Sequence, residues 1–182
     1  MFPIFVVLIV VIVIAYYFLN SEPNANEVIE ENQKMALLNA KKILKAQERW
    51  KKNDYDANGK NDYILGPLKT LSNISFVNGN SISILDIKIS NSDYRFKNNR
   101  IACDGYYFTV ASTSKKWKLE GVEVNDFYII AIPEKRGVTG SCIFLLNSQN
   151  KAYYCSAEYK KLMPTWPSSK ELQLKIWKEL SL

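Results

Sequence analysis

Residues 1–19, MFPIFVVLIVVIVIAYYFL, form an unbroken apolar run without a single charge. Nothing else in the chain constrains its fold as strongly, because exposed apolar surface costs about 25 cal/mol per Å². At about 1.5 Å per residue, a helix of this length spans roughly 28 Å, close to the hydrocarbon thickness of a bilayer. Its β-branched residues would weaken a helix in water, but in lipid the backbone must bond to itself. Tyr16 and Tyr17 lie at one end, where amphipathic rings favour the membrane interface. A cleaved signal peptide would open with basic residues and end in a small-x-small pattern. No Lys or Arg precedes the run, and Phe18-Leu19-Asn20-Ser21-Glu22-Pro23 lacks that pattern. The run therefore reads as a retained anchor. Glu22, Glu27, Glu30 and Glu31 come before the first lysine, Lys34, so the C-terminal bulk is expected on the outer side.

Beyond the anchor the helical pattern resumes in amphipathic form. Ile29, Ala36, Ala40, Ile43 and Trp50 recur at three- and four-residue steps, with Leu37 and Leu44 widening the stripe. Three parts follow: a membrane or filament-core segment at 1–19, an amphipathic continuation at 20–52, and a globular head at 53–182. After the helix, Gly66-Pro67 breaks the chain and a short helical turn is expected around Leu68–Leu71. Ser81–Ile89 alternates imperfectly as a strand. From residue 101 the pattern is β: GYYFTVAS, DFYIIAIPE, SCIFLLN and KAYYCS are short aromatic or β-branched runs bounded by turn residues. They predict a four-stranded antiparallel meander, with the helix stripe as cover for one face. Ser168-x-x-Glu171 forms a capping box before a C-terminal helix, LQLKIWKELSL, carrying Trp177. That helix either packs back on its own sheet or presents Trp177 to a neighbour. The fold class is α+β.

The chemistry of the side chains narrows the function. The net charge of +6 is dispersed, with no clustered basic element of the kind that binds nucleic acid. The chain has no histidine, which removes the commonest general base and every Ser-His or Cys-His arrangement. No Asp/Glu pair stands out, so the chain reads as a non-enzyme. Cys103, Cys142 and Cys155 match no C-x-x-C spacing. If the last hairpin closes at Leu146–Lys151, Cys142 and Cys155 lie opposite one another and a disulfide is expected there. Cys103 could replace either partner, and three reduced cysteines are the other outcome.

One loop suggests an ion. In DYDANGKNDY, Asp54, Asp56, Asn58, the Lys60 carbonyl and Asp62 fall where an EF-hand places its first five calcium ligands, and Gly59 supplies the turn. The twelfth position, which needs a bidentate Glu, is Leu65. Calcium at an incomplete site is one reading. Asp, Asn and Gly forming a turn on their own backbone is the other.

The order of an apolar helix, an amphipathic continuation, a connecting region and an antiparallel sheet resembles the type IV pilins and the pseudopilins of type II secretion systems. ILKAQERWKKNDYDANGKNDYILGPLKTL is similar to a pilin-like pattern, A-Q-E-x-[YW] leading into D-x-D-x-N-G-x-x-D-Y and a leucine-containing turn. GYYFTV, AIPEKRGVTG and CIFLLNSQNKAYY resemble that group's sheet. The basic leader ending in Gly is not seen here, and Phe5 stands where those proteins carry Glu if Met1 is mature residue one. The resemblance implies a structural subunit that polymerises with copies of itself through its N-terminal helix. Phe2, Phe5, Leu8 and Ile12 would pack between copies, giving a bacterial cell-surface filament anchored in the inner membrane before assembly. The alternative is a single-pass membrane protein whose outward head binds a ligand or protein as a monomer.

Overall fold

Helix α1, Ala25–Asn53, is the longest element of the computed structural model, which describes residues 11, 24–76, 78–96, 100–112, 127–158 and 167–181. Asn24 caps its start, with the side-chain oxygen accepting the Asn26 N–H at 3.1 Å. Ala36, Ala40, Ile43, Leu44 and Trp50 are buried, as the stripe predicts, while Glu27, Glu30 and Glu31 are exposed. Among the described residues no helix is long and apolar enough to cross a membrane. The segment 1–19, apart from Val11, lies outside the described residues.

The helix packs on a five-stranded antiparallel meander, one strand more than expected. After α2 (Leu68–Ser72), the small hairpin β1 (Ile74–Ser75) and β2 (Ser81–Ile82), and α3 (Ile87–Asn91), the sheet runs in chain order. Its strands are β3 (Tyr106–Ser112), β4 (Phe127–Pro133), β5 (Cys142–Asn147), β6 (Ala152–Ser156) and β7 (Lys178–Leu180). The fifth strand comes from the stretch read as a C-terminal helix. Only one turn of that helix exists, α4 (Ser169–Gln173), with its capping box formed as expected. Beyond it Ala152↔Leu180 and Tyr154↔Lys178 pair. The open edge of β6 offers unpaired backbone groups, and satisfying them outweighs the local helical pattern. The expected strand at Ser81–Ile89 also shrinks. Asp86 accepts the Lys88 N–H at 2.8 Å and so starts α3 instead of continuing the strand.

Alternation along the strands builds two cores. Tyr106, Phe108, Val110, Phe127, Ile129, Phe144 and Leu146 face α1. Tyr128, Ile130, Ile132, Ile143, Leu145 and Tyr153 face the other way, against Ala157 and Trp177. Every residue of β4 is buried. The sheet is thus covered on both faces, and Trp177, only 2% exposed, packs on its own sheet.

Candidate functional site: the loop that ends the long helix

Asp54 stops α1 by turning into the left-handed region at φ 45°, and Ala57 and Gly59 follow at φ 54° and 77°. The side chains close the loop on itself. An Asp54 carboxylate oxygen, Oδ2, accepts the Gly59 N–H at 3.0 Å, and Asn58 Oδ1 accepts the Lys60 N–H at 2.7 Å. Asn58 Nδ2 donates to Asp56 Oδ2 at 3.0 Å. The turn-forming role foreseen for these residues is therefore present. The other Asp54 oxygen, Oδ1, is shut from solvent with no hydrogen-bond donor. Burial, the adjoining Asp54 carboxyl and the Asp62 charge hold the Asp56 carboxyl above its ordinary value, offset in part by backbone N–H groups. Asp62 is 7% exposed. Among the described residues, no three His, Cys, Asp or Glu side chains are gathered into a ready-made metal cage.

The chain returns from the loop onto a clamp that the apolar periodicity did not single out. Gln47 lies on the buried stripe and is 0% exposed. Its Nε2 donates to the Ile64 carbonyl at 2.7 Å, and its Oε1 accepts the Ile64 N–H at 3.0 Å. One side chain thus pairs with the backbone as a strand would. An amide standing on an otherwise apolar stripe is the signal that could have found it, since buried polar groups are almost always bonded. Asn39 is a second case, donating to Asp104 Oδ2 at 2.8 Å. Further along, Asp93 (0% exposed) accepts the Leu68 N–H at 2.8 Å and pairs with Arg95 at 2.7 Å. Arg95 also donates to the carbonyls of Leu65 and Gly66. The Gln47 clip ties the segment after the loop to α1, and the Asp93–Arg95 clip ties it to the rest of the head.

The cysteines are not arranged as expected. All three are free. The β5–β6 register pairs Cys142 with Ser156 and Cys155 with Ile143, one residue away from the expected alignment. Asn147 explains the shift: its Oδ1 accepts the N–H groups of Gln149 and Lys151, and Asn150 adopts φ 62°, so the loop closes at Leu146↔Ala152. A shift of one residue sends the two sulfurs to opposite faces. Cys142 packs against the helix-side core and Cys155 lies in the other. Burial, then the Asp104 charge, pushes the Cys103 thiol up to about 11, and burial pushes Cys155 up to about 12. Neither is a thiolate near neutral pH.

The assembly residues Phe2, Phe5, Leu8 and Ile12 lie outside the described residues. Between α1 and residues 84–86 an open cleft of about 300 Å³ is lined by Lys42, Lys45, Ala46, Arg49, Ile84, Leu85 and Asp86. No family model, no curated protein and no solved structure matches this chain.

Proposed function

We propose that the chain is a structural subunit of a type IV pilus-like extracellular filament or pseudopilus, anchored in the bacterial inner membrane and then polymerised at the cell surface. The observation that carries this reading is the placement of α1. Its buried stripe begins at Ala36, its first turns are exposed, and its start at Ala25 follows closely on the apolar run 1–19. In this reading the run and α1 form one hydrophobic-then-amphipathic helix, whose far half is committed to the head. Outside the bilayer, many copies can hide their apolar runs against one another at about 25 cal/mol per Å². Phe2, Phe5, Leu8 and Ile12 then face neighbouring copies, and the role is structural and not catalytic.

The second reading, a monomeric anchored protein with a ligand-binding head, draws on the cleft beside Lys42, Lys45 and Arg49. Electron microscopy of sheared cell-surface material, with antibody labelling of the head, separates the two. Fibres carrying the label support the filament subunit. Recovery of the chain only from membranes, as a monomer, refutes it and favours the second reading.

A further inference from the structure

We propose that the cleft between α1 and residues 84–86 receives the acidic first turns of α1 from a neighbouring copy of this chain. On the filament reading the anchors hold all copies parallel, and this contact rests on that reading. Lys42, Lys45 and Arg49 line the cleft beside the apolar Ala46, Ile84 and Leu85, and Asp86 is the carboxylate among its lining residues. Asp86 Oδ1 already accepts the Lys88 N–H at 2.8 Å, so the cleft keeps a positive excess. Lys45 and Arg49 are exposed, and no described carboxylate pairs with either. Lys42 donates only to the neutral Asn39 amide oxygen, at 3.3 Å. Like charges three and four residues apart destabilise a helix, and a neighbouring anion offsets that cost. At the other end of α1, Glu27, Glu30 and Glu31 are exposed. Glu27 and Glu30 pair with no described cation, and Glu31 reaches only Lys34, at 4.0 Å with both side chains mostly in solvent. The helix dipole accounts for an acidic residue in the first turn, Glu27, but fades before Glu30 and Glu31. Val28, 37% exposed, adds an apolar partner for Ile84 and Leu85.

The two patches share one side of the helix. Glu27, Glu31, Lys34, Leu38, Lys42, Lys45 and Arg49 follow at three- and four-residue steps, and Leu38 between them is 46% exposed. Their centres lie about 16 residues apart, roughly 24 Å along the axis. No copy can therefore satisfy its own cleft. A parallel neighbour shifted by that distance sets its first turns against Lys42, Lys45 and Arg49. Each copy then gives one contact and receives one, so the pairing is head-to-tail and does not close on itself. Exposed ion pairs are individually weak and are screened by salt within about 8 Å under physiological conditions. The contact thus sets the stagger between copies that their anchors already bring together, where the effective concentration is high.

Zero-length cross-linking tests the contact on the full chain reconstituted in lipid vesicles. A carbodiimide joins a carboxylate to a lysine amine that touches it, so peptides carrying residues 27–31 should be found linked to Lys42 or Lys45. The separation of about 24 Å within one copy makes every such link intermolecular. Gels should show a ladder beyond the dimer. Arg49→Glu keeps both lysines reactive and should lower the yield about fivefold. Adding Glu30→Lys to it should restore the yield and create a link between positions 30 and 49. Lys170→Glu, on the exposed surface of α4, should leave the yield unchanged. Absence of the link overturns the contact, as does a yield that Arg49→Glu does not lower. Dimers alone would overturn the stagger in favour of antiparallel pairing. Loss of the link in sodium phosphate, but not in sodium chloride of equal ionic strength, would make the cleft a small-anion site instead. Labelled fibres without the link overturn the contact and leave the filament reading standing. The link without fibres keeps the contact between anchored copies and removes the filament.

Discussion

Replacing Gln47 by Met tests how the long helix holds the head. Methionine keeps the volume and the helix propensity, so the perturbation is confined to the two hydrogen bonds with Ile64. Those bonds are 2.7 and 3.0 Å long, and Gln47 itself is wholly buried. Losing them leaves one N–H and one carbonyl unmade, at about 1–3 kcal/mol each when water is excluded. Ile64 is half-buried, so water reaches part of it and the sum falls to about 2–4 kcal/mol. At about 2–4 °C per kcal/mol for a chain of this size, the melting temperature should fall by roughly 4–16 °C. Near-ultraviolet circular dichroism of the head follows the transition, and amide exchange reads the Ile64 N–H directly, which should lose its protection. Lys45→Ala on the exposed face is the control and should move the midpoint by less than about 2 °C. A Gln47→Met midpoint as little changed as that control, with Ile64 still protected, would refute the clamp.

Other perturbations probe the core, the second clip and the thiols. Gly140→Ala places a methyl group on the buried Tyr106 ring, whose hydroxyl donates to the Cys142 carbonyl at 3.0 Å. It should cost about 1–3 kcal/mol by denaturant unfolding, and an unchanged midpoint would contradict the packing. Asp93→Ala strands the Leu68 N–H and the Arg95 guanidinium together, and a loss of about 3 kcal/mol is expected from the same measurement. The buried thiols set a sign for alkaline pH. An unfolded cysteine releases its proton near 9.0, but Cys103 holds it to about 11 and Cys155 to about 12. The unfolded state therefore binds fewer protons in this window, and stability, intact below about pH 9, falls as pH rises through it. A Cys103→Ala/Cys155→Ala double variant should lose less stability between about pH 9 and 12 than the parent. An equal loss would place the alkaline transition elsewhere.

Patterns of short range fixed much of the fold. The three- and four-residue apolar spacing located α1 almost to its ends, because one face of a helix meets one core. Four aromatic and β-branched runs located β3 to β6, and Ser168-x-x-Glu171 located the start of α4, because a capping box is satisfied within a single turn. In the candidate loop, the alternation of Asp and Asn told which oxygens come together. It did not tell that Asp62 is buried or that one Asp54 oxygen lacks a donor.

Features that needed two distant segments were decided only by the tertiary structure. β7 looked helical by spacing and became a strand because β6 offered it an edge. Cys142 and Cys155 parted to opposite faces because the Asn147 turn set the register, and strand parity magnifies a shift of one residue into a change of side. Gln47 showed in the sequence only as a polar residue on an apolar stripe. Its partner, the backbone of Ile64, becomes visible once the loop has carried the chain back to the helix. The sequence by itself determined which residues seek burial and where helices begin. Which buried polar group meets which depends on how the chain returns, and that is a property of the packed whole.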